Sequence, residues 1–82
     1  MIKIHPHAMQ RMLERCASHD EVYETVTHGE TFPAKFGRVG FRRNFSFDDD
    51  FRGKRYHSKQ VEVFAVPEAS DWVVVTVITR FF

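Results

Sequence analysis

After Gly29 the hydrophobic pattern of this chain changes period, and that switch constrains the fold more than any single motif. Before it, apolar residues recur at helical spacing; after it, they alternate as in strands with one covered face. A chain that changes period once in this way is expected to stack helices on one face of a sheet, an α+β layer fold. Its 82 residues leave room for one domain, spanning residues 1–82.

The first helix is predicted from Pro6 to Arg15 or Cys16, because Pro suits the first helical position, where its missing N–H needs no partner. Met9, Met12, Leu13 and Cys16 fall within one arc, with Ala8 at its margin. His7, Gln10, Arg11, Glu14 and Arg15 fill the opposite arc. Ser18 followed three residues later by Glu21 matches a capping box and starts a second helix. Asp20, Glu21 and Glu24 suit its positive end, Val22 and Val26 form its apolar side, and Gly29 is its stop.

Met1 to Ile4 reads as a short strand or an arm. Glu30 to Phe36 is ambiguous, and Pro33 confines any strand there to a sheet edge. Val39, Phe41, Arg43, Phe45 and Phe47 alternate with polar or small residues, a strand with one charged member on its apolar side. Asp48 to Lys54 reads as a turn or loop, Tyr56 to Val66 as a long strand, Pro67 to Asp71 as a turn, and Trp72 to Phe82 as a final strand. The run VVVTVI is expected to be covered on both faces, hence central. The architecture expected is α+β, two N-terminal helices packed on a three- to four-stranded antiparallel sheet.

Charge is uneven. The formal net charge is +1, yet residues 35–59 carry +5 and the remainder −4, which permits an anionic partner. No apolar run approaches the ~18 residues of a membrane helix, and the start lacks the pattern of a secretory signal. The single cysteine, Cys16, reads as a buried thiol in a reducing cytoplasm, without a redox or zinc role. His5 and His7 find no further ligands at metal-binding spacing, and there is no glycine-rich phosphate loop. No metal, no cofactor and no membrane are expected.

His7, Arg11 and Arg15 share one helix face. The positive end of the helix and the nearby Arg11 both disfavour imidazolium, so His7 is expected to be neutral and suited to accepting a proton. Guanidinium groups hold two phosphate oxygens at once, which makes Arg11 and Arg15 candidate phosphate ligands. The competing reading is a local cap or packing contact for His7 and ordinary solvation for Arg15. Arg43 requires an open face, an acid such as Glu62, or an external anion. His57 and Lys59 lie toward the outer end of their strand, where exposure costs little; Lys59 could bind phosphate or act as an acid, and His57 could do the same work as His7. Aromatic and basic residues interleave from Phe36 to Tyr56, as on nucleic-acid-binding sheets, although most of these Phe are expected to be core.

The pattern His7-Ala8-x-x-Arg11-Met12-x-x-Arg15 is followed by a capped helix ending near Gly29-Glu30 and by the strands Lys59-Gln60-Val61-Glu62-Val63 and Val74-Val75-Thr76-Val77. It resembles small uncharacterised bacterial domains of unknown function with an H-A-x2-R-M-x2-R signature. In layout it is also similar to barnase-like, colicin-like and RelE-like metal-independent RNases and toxins. That similarity implies RNA cleavage or binding, with His7 as base, Arg11 as phosphate clamp and Arg43 or Lys59 adding charge. It also implies an antitoxin or other small protein as partner. Lys59 is thus grouped with His7 and Arg11 as catalytic, and Arg15, Arg43 and His57 as RNA-binding. The alternative is a non-catalytic interaction module, a homo-oligomer among its forms, whose His/Arg helix face is purely structural.

Overall fold

The computed structural model describes residues 1–82. In chain order the elements are β1 (Ile2–Ile4), α1 (Pro6–Glu14), α2 (His19–His28), β2 (Glu30–Pro33), β3 (Val39–Phe51), β4 (Lys54–Glu68) and β5 (Asp71–Phe81). The strands form one five-stranded sheet in the order β1-β5-β4-β3-β2. The pairings are antiparallel except β1 with β5, which is parallel. The α+β class therefore holds, while the sheet has five strands and is mixed. The extra strands are the two short edges: β1, from which α1 and α2 lead across to the opposite edge, and β2 at that edge, where Pro33 sits as expected.

Local chemistry sets the helix boundaries. His5 Nδ1 accepts the His7 N–H at 3.1 Å and Pro6 opens α1. At the far end Cys16 turns left-handed, with φ 57°, and the Ala17 N–H reaches the Met12 carbonyl at 2.9 Å. In α2 the Ser18–Glu21 capping box forms in both directions, at 3.0 and 3.1 Å. Gly29 ends α2 for a reason other than a left-handed turn. Its φ is −75°, and a Cβ there would lie 2.3 Å from the Thr25 carbonyl oxygen and 2.7 Å from that of Arg42. The residue is small because α2 and β3 nearly touch at that point.

Both helices lie on one face of the sheet. The core joins Ala8 and Met12 of α1 and Val22 and Val26 of α2 to Phe41, Val61, Val63, Ala65, Val74 and Val77. Val74 and Val77 are three residues apart and should face opposite ways. A register shift between Phe64 and Ala65 inserts Val75 as an extra residue in β5, and both valines reach the core. β5 lies inside the sheet between β1 and β4, but the middle strand is β4, and only Val74 and Val77 of VVVTVI are buried.

Several local expectations are corrected. The turn or loop expected over Asp48 to Lys54 is confined to Arg52-Gly53: β3 runs to Phe51 and β4 starts at Lys54, so the rest of that stretch is paired strand. Both turn residues have positive φ, 53° and 81°, as a tight hairpin turn of this kind needs. A bulge between Ser46 and Asp49 absorbs one residue. Phe47, Phe51 and Tyr56 gather on Phe81, and this contact holds the hairpin end together. On α1 only Ala8 and Met12 of the apolar arc are buried; Leu13 is 86% exposed and Cys16 is exposed. The helix turns Ala8 and Met12 into the core, and bonds from Arg15 to Val77 and from Lys59 to the Cys16 carbonyl hold its end on the sheet.

Candidate nucleic-acid interface

The residues singled out in the sequence are dispersed. His7 lies exposed in the first turn of α1. Arg11 Nη1 donates to Glu14 Oε2 at 2.9 Å, and this hydrogen bond, with the charges of Arg11 and Arg15, holds the Glu14 carboxyl below its ordinary value. Arg15 Nη1 donates to the Val77 carbonyl at 2.7 Å, while Thr79 Oγ1 donates to the Arg15 carbonyl at 2.7 Å. Both bonds tie the end of α1 to β5.

Lys59 is only 4% exposed, not at an open strand end. Its Nζ donates to the Cys16 carbonyl and to Glu21 Oε1, each at 2.7 Å, and lies over the Phe47 ring. One ammonium thus joins the end of α1, the start of α2 and β4. Arg43 Nη1 reaches the His28 carbonyl at 3.4 Å, at the negative end of α2. Glu62 is not its partner, because it lies on the opposite face. His57 pairs with Asp48 at 3.1 Å on the hairpin, largely in solvent. Of the six, only Lys59 borders the molecule's one cleft, about 450 Å³, which Met12, Leu13, Cys16, Ala17, Ser18 and Glu21 complete.

A different charged group emerges from strand register. Directly paired residues point to the same side of a sheet. Arg43, Val61 and Thr79 form one row, toward the helices. The adjacent row must face away, and it reads Glu30, Arg42, Glu62 and Ile78 across β2, β3, β4 and β5. The next outward row reads Asn44, Gln60 and Arg80, and on the other side lies Phe32, Gly40, Phe64 and Thr76. No helix covers these residues. The face pointing away from the helices therefore carries a polar band with two guanidinium groups and aromatic rings beside it.

The band is internally ordered. Arg80 Nε donates to Glu62 Oε1 at 3.1 Å; Glu62 is 6% exposed, while the Arg80 side chain stays 63% exposed. Gln60 Nε2 donates to Asn44 Oδ1 at 3.1 Å. Arg42 lies 4.3 Å over the Phe32 ring, with Nε 3.4 Å from Glu30 Oε1. That Nε is buried and makes no hydrogen bond. The two guanidinium groups, each beside one carboxylate (Glu30 and Glu62), lie on a wide, accessible surface where they can meet a phosphodiester backbone, and the flanking rings can meet bases. No group of three or more His, Cys, Asp or Glu side chains is placed to hold a metal ion. No helix is long and apolar enough to cross a membrane.

These residues were missed because alternation marks two faces without saying which one a helix covers. The available signal was Glu62, a carboxylate inside the run VEVF, and its register with Arg42 once the Arg52-Gly53 turn is located.

The molecule is thus a small α+β domain with two helices on one face of a mixed sheet and a charged, aromatic-flanked opposite face. It belongs to the family described as domain of unknown function DUF4258, whose profile matches residues 4–79. No curated protein and no solved structure matches the chain.

Proposed function

We propose that this protein engages RNA through the helix-free face of its sheet, as an RNase- or toxin-like domain acting without a metal ion. The observation that carries this reading is the placement of Arg42, Glu62 and Arg80 together on that face. Metal-independent RNA cleavage through the 2′-OH needs a proton acceptor and fixed positive charge at the phosphate. In this reading Glu62 accepts the 2′-OH proton, and the 2′-oxygen bonds to phosphorus as the P–5′-O bond breaks to leave a 2′,3′-cyclic phosphate. Water protonates the leaving 5′-oxygen, and Arg80, with Arg42 beside it, supplies the positive charge. His7 and Arg11 lie on the helix side and contribute no direct contact to an RNA on the open face.

The test measures binding and cleavage of a fluorescent RNA in EDTA. Arg42→Ala and Arg80→Ala should each weaken binding, and Arg80→Ala should also reduce its salt dependence by about one phosphate contact. Glu62→Gln should abolish cleavage while retaining binding, and His7→Ala should leave both unchanged. Loss of binding with His7→Ala or Arg11→Ala, and none with Arg42→Ala or Arg80→Ala, would move the site to α1 and defeat this assignment.

A second reading, a non-catalytic interaction module, draws support from Arg15 and Lys59. Both spend their charge on main-chain carbonyls of the protein itself, as a structural helix face would. RNA neither bound nor cut by the intact protein would favour it.

A further inference from the structure

Phe32 and Arg42 form a layered stack on the open face, and its construction is specific. Phe32 comes from the edge strand β2, and its ring packs closely against Gly40. A Cβ at Gly40 would sit 2.3 Å from the ring, so only glycine lets the ring lie so low. Phe64, on the next strand, meets the same ring edge-on, with centroids 5.7 Å apart and planes at 87°. That contact fixes the ring's orientation. Arg42 is the third layer, with its guanidinium carbon 4.3 Å from the ring centroid.

Arg42 is held there by stacking more than by directional bonds. Its Nε makes no hydrogen bond, Glu30 is 3.4 Å from that atom, and the side chain remains 38% exposed. A guanidinium held over an aromatic ring while its side chain stays partly exposed offers a surface on which a nucleobase can stack. Across Glu62, two strands away, stands Arg80. Two strand spacings and a two-residue offset along the strand put its Cα roughly 12 Å from that of Arg42, where the two long side chains leave room for a neighbouring phosphate to reach it.

We infer that the Gly40–Phe32–Arg42 stack is a platform for one unpaired nucleobase, with Arg80 receiving an adjacent phosphate, so that the protein takes single-stranded RNA in preference to duplex. The inference rests on the RNA reading above and specifies the substrate class of that same face. In a duplex each internal base is already stacked on both sides and cannot occupy the platform. A single strand can present one.

The experiment is fluorescence anisotropy with an RNA strand of about 12 nucleotides and with a hairpin duplex of matched composition, both in EDTA. The expected result is at least about tenfold tighter binding of the single strand, since one base–aromatic stack contributes that much or more. Arg42→Lys keeps the charge and removes the plane; it should reduce the single-strand preference by about tenfold while duplex affinity changes little. Phe32→Leu keeps apolar cover over Gly40 and should act in the same direction, with the melting temperature measured alongside. If Phe32→Leu unfolds the edge, Arg42→Lys alone decides. Equal affinity for both RNAs, or a preference unaffected by Arg42→Lys, overturns the platform and leaves the RNA reading standing. Binding of neither RNA overturns both.

Discussion

Removing either member of the Lys59–Glu21 pair should have unequal consequences. Lys59 is 4% exposed, and its Nζ lies 2.7 Å from both the Cys16 carbonyl and Glu21 Oε1. The same carboxylate oxygen accepts the Ser18 N–H at 3.0 Å. Glu21→Ala strands a buried ammonium and breaks half of a capping box. A buried charge deprived of its partner costs about 3–5 kcal/mol, and the low end applies because the Glu21 side chain is 20% exposed. The cap adds about 1 kcal/mol, for a total near 4 kcal/mol.

Lys59→Met removes the charge itself and nearly preserves volume. Glu21 keeps its cap and its access to water, and the Cys16 carbonyl loses a donor at a cost of about 1–2 kcal/mol. Urea unfolding followed by circular dichroism measures both variants. Glu21→Ala should lose at least twice as much stability as Lys59→Met and lower the melting temperature by roughly 15–30 °C. RNA affinity of Lys59→Met should stay at the level of the unaltered protein. Equal losses in the two variants, or a costlier Lys59→Met, would refute the buried-pair reasoning.

Gly29→Ala should destabilise by about 2 kcal/mol or more, since its Cβ would meet two backbone oxygens at 2.3 and 2.7 Å that no side-chain motion can clear; thermal melting checks it, and an unchanged Tm would contradict the close approach of α2 and β3. The carboxyl of Asp71 is held below its ordinary 3.8 by hydrogen bonds from the Met1 ammonium and then Lys3, and that of Glu14 below 4.5, first by the Arg11 hydrogen bond. Because these folded-state values are depressed, the stabilisation is present above the unfolded values and lost as pH falls through the folded ones. Asp71→Asn and Glu14→Gln together should flatten the dependence of Tm on pH below about pH 4.5, and an unaltered acid limb would contradict both assignments.

Much of the local structure was legible because local chemistry specifies it. Pro6 and the Ser18–Glu21 box start the helices where the residue types require, and the change of period at Gly29 separates helices from strands. Pro33 marks an edge. The hairpin end was hidden because three consecutive Asp look like a loop, whereas aromatic contacts with Phe81, distant in sequence, keep that stretch paired. The exposure of Leu13 and burial of Lys59 were equally hidden. An apolar arc shows which side of α1 is greasy, but not that bonds from Arg15 and Lys59 hold the end of the helix on the sheet.

The candidate site divides along the same line. His7, Arg11 and Arg15 were visible as a stripe because helical spacing is a property of one segment. Arg42, Glu62 and Arg80 come from three strands, and only pairing register brings them together. Residue order alone specified two capped helices, a family of alternating strands and an uneven charge. Tertiary structure decided which side of the sheet the helices cover, and thereby which cations lie on the open face. The reason is that alternation is symmetric between the two faces of a strand. Cross-strand pairing, a bulge at Val75 and the docking of two helices break that symmetry, and all three depend on contacts between residues far apart in the chain.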